Sequence, residues 1–167
     1  MKKGKMKKFI IGIMLAVMAA GTPLCGEYLN WQIGENTIPF TFATLVGGGA
    51  MLGDGDGDFC YLANEDGSAG TKFATSVMTE LAGTEVDYWV ELFTYDSAND
   101  TATQVGKSAA VSYSALKSAG AVYQTDLTPG GGETPYSFSG FTAVPEPTSL
   151  VLMLLGLAGL ALKRKAG

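Results

Sequence analysis

Histidine is absent from all 167 residues. Its absence excludes Ser-His-Asp and Cys-His nucleophile arrangements, together with any metal centre built on imidazole. Cysteine is scarce as well: Cys25 and Cys60 allow one disulfide at most, in an oxidising compartment. Cations are missing from the middle of the chain. Lys2, Lys3, Lys5, Lys7 and Lys8 open the sequence and Lys163, Arg164 and Lys165 close it, which leaves residues 27–143 with Lys72, Lys107 and Lys117 against fifteen acids, a net charge of −12. So acidic a surface repels phosphate backbones, and nucleic acid is excluded as a partner.

What is present at the ends is an address. Five lysines precede an apolar stretch from Phe9 to Ala20, and small residues follow, so residues 1–26 read as a secretory signal peptide. The rival is an uncleaved anchor, for which this stretch is short against the ~20 residues needed to span a bilayer. Ala19 and Gly21 suit a cut after Gly21, which would keep Cys25 as a partner for Cys60. A cut after Cys25 would leave Cys60 alone, and "TPLC" also sits where lipidated cysteines stand, though with Leu24 in place of a small residue.

At the other end, "SLVLMLLGLAGLAL" (149–162) contains no charge. As a helix it would be ~21 Å long, short of a ~30 Å hydrocarbon core. Its flanks favour the membrane all the same. Pro145 and Pro147 stop the helix from growing inward, and Lys163, Arg164 and Lys165 follow directly, able to snorkel and to remain cytoplasmic as a stop-transfer signal. The order "VPEPTSL", leucine-rich helix, "KRK" over Val144 to Lys165 resembles the PEP-CTERM sorting signal of bacteria with a second membrane. That resemblance implies recognition by an exosortase through Pro145, Glu146 and Pro147, cleavage nearby, and a setting of exopolysaccharide, surface attachment or biofilm. It implies nothing for the rest of the chain, since one such tail is attached to many unrelated cores.

Residues 27–143 have β patterning. In "EVDYWVELFTY" the residues Val86, Tyr88, Val90 and Leu92 share one side and Asp87, Trp89, Glu91 and Phe93 the other, which predicts a half-buried strand whose second face is partly covered by aromatics. "YDSANDT" reads as the loop of a hairpin. "YLNWQI", "IPFTFATLV", "KFATSVMTEL", "AAVSY", "AVYQTDL" and "YSFSGFT" are the other candidate strands, and "YSALKSAG" a short helix. Gly-rich separators such as "GGGAMLGDGDGD" and "PGGGETP" favour an all-β fold, a small antiparallel β-sandwich of jelly-roll or Ig-like kind, flanked by the signal helix and a C-terminal transmembrane helix.

Within that core, Asp54, Asp56, Asp58 and Glu65 stand at positions 1, 3, 5 and 12 of a calcium-type loop, with the position-7 carbonyl on Cys60. Phe59 replaces the glycine of position 6 and no amphipathic helix flanks the loop, so a solvated acidic turn is the competing reading. Glu80, Glu85, Asp87 and Glu91 could supply a glycosidase pair, but no spacing fixes their separation. Tyr28, Trp31, Trp89, Tyr95, Tyr113, Tyr123 and Tyr136 could stack sugars, although rings in a small sandwich more often form its core.

The sequence therefore describes an exported, non-enzymatic surface or matrix protein in three parts: signal peptide 1–26, acidic core 27–143 and sorting signal 144–167. No cofactor is expected unless the acidic loop takes calcium. The core crosses the inner membrane, is held briefly by the C-terminal helix, and ends at the surface or outside the cell. A carbohydrate-binding or adhesin module is the alternative, with a small hydrolase third.

Overall fold

A computed structural model of the chain describes residues 26–53, 59–73, 75–124 and 134–145. Both predicted terminal helices lie outside the described residues. Among the described residues eleven strands and one short helix follow in order: β1 Tyr28–Ile33, β2 Phe42–Gly47, β3 Ala50–Leu52, β4 Tyr61–Leu62, β5 Val77–Glu80, β6 Asp87–Asp96, β7 Thr101–Lys107, β8 Val111–Ser112, α1 Tyr113–Ser118, β9 Val122–Tyr123, β10 Tyr136–Phe138 and β11 Thr142–Ala143. They form two sheets. The smaller runs β10-β1-β5, with β9 also on β1; the larger runs β11-β7-β6-β2-β3, with β4 on β2 and β8 on β6.

The strand β6 behaves as its alternation requires. Tyr88, Val90 and Leu92 are fully buried, Asp87 is exposed, and Trp89, Glu91 and Phe93 are half-buried on the opposite face. Phe93 stacks on its cross-strand partner Phe42, ring centroids 5.0 Å apart, so an aromatic pair dries part of that outer face. Inner residues of both sheets, Leu29, Trp31 and Ile33 from one and Ala43, Leu45, Tyr88, Val90 and Leu92 from the other, join in a single apolar core to which α1 adds Leu116. The helix begins where Ser112 caps it by accepting the Ala115 amide.

Turn chemistry sets two hairpins. Gly48 and Gly49 both have positive φ (61° and 82°), as a two-residue loop of the type that matches strand twist requires, and they close β2 onto β3. Asp96 closes β6 onto β7 by accepting the amides of Ala98 and Asn99 and the Asn99 side chain.

Three expectations are corrected. β10 lies parallel to β1 (Trp31↔Tyr136, Ile33↔Phe138), whereas every other pairing between strands is antiparallel; the two strands are separated by most of the chain, so no hairpin dictates their direction. "YSFSGFT" is two strands in different sheets, divided at Gly140 with φ +67°, a conformation that suits glycine. The Gly-rich stretch after β2 contains β3 instead of being all loop.

Candidate functional site

The described chain ends at an edge of the larger sheet. Leaving β10, it crosses to the other sheet at Gly140, packs half-buried Phe141 against the core, and lays exposed Thr142 and Ala143 opposite Lys107 and Gly106 of β7. The Val144 N–H donates to the Val105 carbonyl at 3.0 Å, and exposed Pro145 comes next. Proline has no amide to offer, so Pro145 adds no donor of its own to this edge. Among the described residues Val144 is the last with a backbone hydrogen bond, and it directly precedes the first proline of the sorting motif.

Lys107 anchors this edge on its outer face. Its ammonium lies 4.2 Å from the centroid of the Trp89 ring, whose Nε1 donates to Glu91 at 2.9 Å. Beneath the sheet Gly106 is buried, and a Cβ there would come within 3.1 Å of Ile38 and 3.2 Å of Leu92, so the strand that receives β11 fits close to the core. Of the sequence-predicted sorting residues, Pro145 is thus placed at the exit from the sheet. Glu146, Pro147, Lys163, Arg164 and Lys165 lie outside the described residues. Sequence reasoning missed Thr142–Ala143 as the strand that leads into the motif; the available signal was that "FTAV" directly abuts the first proline.

The other nominated residues fall as follows. Asp54, Asp56, Asp58 and Cys25 lie outside the described residues, and Cys60 is half-buried just before β4. Glu65 is exposed in a turn closed by the Gly67 N–H donating to the Asn64 carbonyl, and hydrogen bonding from the Ser68 side chain, then from the Ser68 amide, holds the neighbouring Asp66 carboxyl below the usual range. Among the described residues no three metal-binding side chains converge. Glu85 and Asp87 are exposed, while Glu80 and Glu91 lie in different sheets.

Two of the aromatics belong to the interior. Trp31 is fully buried, meets Tyr61, Phe73 and Phe138 edge-on or tilted, and donates from Nε1 to Thr79 Oγ1 at 2.8 Å. Tyr61 shares Thr79 Oγ1 at 2.9 Å and also donates to the Met78 carbonyl. Buried Tyr113 donates to Glu27 at 2.6 Å and accepts from Lys117 at 3.0 Å; the bond to Glu27 raises the phenol above its usual pKa, and the bond to Tyr113 raises that of Lys117. That cluster stitches the start of the core to α1. Tyr95 is tied to Asp100 through its hydroxyl, which likewise raises it.

The family model for the PEP-CTERM protein-sorting motif matches residues 143–165, beginning inside β11. Neither the curated proteins nor the solved structures contain a match to the chain. The chain therefore carries a PEP-CTERM sorting signal, which implies export, recognition by an exosortase and delivery to the surface. Among the described residues no helix is long and apolar enough to cross a membrane.

Proposed function

We propose that this chain is a non-enzymatic surface or extracellular-matrix protein, exported by its N-terminal signal, held by its C-terminal helix, and freed from that anchor by an exosortase in association with exopolysaccharide or biofilm. The observation that carries this reading is the position of Pro145, which directly follows Val144, the last residue with a backbone hydrogen bond among the described residues. A cut near Pro145–Pro147 leaves every described strand on the product and removes the apolar helix with its three cations.

The core is a small β-sandwich of jelly-roll or Ig-like kind, supported by the single apolar core that both sheets share. Its product is a passive component of the matrix. Supporting this, the chain has no histidine and its candidate carboxylates are dispersed over two sheets. A carbohydrate-binding role has one observation in its favour: half-buried Trp89, Phe93 and Tyr95 alternate along the outer face of β6. Binding of the purified core on a glycan array separates the two roles.

The processing claim is tested in the native host with and without its exosortase. Protein lacking the tail in the surface or culture fraction of the first, and full-length protein in the membranes of the second, is the expected result. Identical masses in both strains would refute it.

A further inference from the structure

The sorting motif and the fold lay claim to the same backbone. Ala143 and Val144 are the first residues of the matched motif, and they are also strand and ladder residues of the larger sheet, paired with Gly106 and bonded to Val105. An enzyme that takes an extended peptide into a cleft holds it through main-chain hydrogen bonds, as an added strand is held. Those groups are already engaged here. We propose that β11 is a detachable edge strand: it must lift from β7 before the processing enzyme can take Thr142–Pro145 as an extended peptide, so the fold itself gates access to the sorting signal.

The construction of this edge suits detachment. β11 has two residues, both exposed, and is paired on one side only. Pro145 adds no amide donor after Val144. Gly140, at φ +67°, stands just before Phe141 and supplies a pivot, while Phe141 keeps the preceding chain fastened to the core. Lifting Thr142 onward thus exposes no fully buried apolar side chain, only half-buried Val144. What it uncovers is the free edge of Val105, Gly106 and Lys107, which β11 can cover again once the tail is gone.

The inference rests on exosortase processing, and its test separates the two. In full-length protein whose Cys25 and Cys60 are serine, Lys107→Cys and Thr142→Cys are introduced singly and together. The two positions are direct antiparallel partners, and such pairs have Cα separations of about 4.5–5.5 Å, within the span of a disulfide. The single variants, which cannot form the bridge, set the rate of tail loss against which the double variant is read. The double variant should show at least a tenfold lower fraction of tailless product, restored by reductant. It should also be restored by inserting Gly-Ser-Gly-Ser-Thr-Ala-Val after Val144, which supplies a second copy of the strand while the first stays locked. A locked chain cut as fast as the singles, or one still uncut after reduction, would overturn the inference alone. A parent that keeps its tail would remove the processing reading and the inference with it. A second readout needs no enzyme: the Val144 amide should exchange with solvent at least 100-fold faster than those of Leu45 and Leu92, and equal protection would contradict a detachable strand.

Discussion

Replacing Thr79 by valine isolates one hydrogen-bond acceptor at the centre of the core. Thr79 and Trp31 are both fully buried, and Thr79 Oγ1 receives the Trp31 indole N–H at 2.8 Å and meets the Tyr61 hydroxyl at 2.9 Å. Valine preserves the shape and suits a strand, so packing and propensity change little. Tyr61 retains the Met78 carbonyl as an acceptor. Trp31 loses its hydrogen-bond partner, and an orphaned buried donor costs about 1–3 kcal/mol. With ~2.1 cal/mol/K of unfolding entropy per residue over the ~117 residues of 27–143, a loss of about 2 kcal/mol lowers Tm by about 8 °C. Thermal and urea unfolding of the processed core measure this, with Thr79→Ser as the control that keeps the oxygen. A loss below about 0.5 kcal/mol in the valine variant, or a larger one in the serine variant, would refute the assignment of Trp31 to a structural role.

Further outcomes follow from the same geometry. Gly47→Ala places a methyl 2.5 Å from the fully buried Tyr88 ring, and overpacking of this kind should cost about 1–3 kcal/mol in urea unfolding; a neutral result would mean that the ring moves freely. The hydrogen bond from Asn99, followed by the Ala98 amide, holds the Asp96 carboxyl below its usual pKa, so its contribution to the hairpin is present above the ordinary aspartate value of about 3.9 and is lost as pH falls through the lower folded value. By NMR, the Ala98 amide shift should titrate below that value, and Asp96→Asn should abolish the titration. Glu65 stands in a turn and no helix begins there, so millimolar calcium should leave the Tm of the core unchanged. A site half-saturated at 10 μM would instead add about 2.7 kcal/mol at 1 mM, and a rise that vanishes on changing Asp54, Asp56 and Asp58 to asparagine would reinstate the calcium loop.

The sequence was most legible where one periodic signal dominated. β6 alternates without interruption over its buried half, and its hairpin loop carries the Asp and Asn that the structure uses. β1, α1 and the C-terminal motif were equally plain. β7 was not, because "TATQVGK" offers small and polar residues whose strand conformation comes from pairing with β6 rather than from its own pattern. β3 was concealed by the glycines that make its turn. The division of "YSFSGFT" between two sheets depends on one positive φ at Gly140, and composition alone does not reveal it. The same division hid the root of the sorting signal: Thr142 read as the end of a strand beginning at Tyr136, whereas with Ala143 it belongs to the other sheet. The parallel approach of β10 to β1 has no local signature at all.

The central claim is that Pro145, Glu146 and Pro147 direct removal of the hydrophobic tail from a finished β-rich core. Intact mass of the protein recovered from surface and supernatant of its native host, beside a strain in which all three residues are alanine, tests it most directly. The account predicts a tailless species that disappears in the alanine strain. An identical, tail-retaining mass in both strains would contradict it, and would make the chain a membrane-anchored protein with a stiff proline spacer.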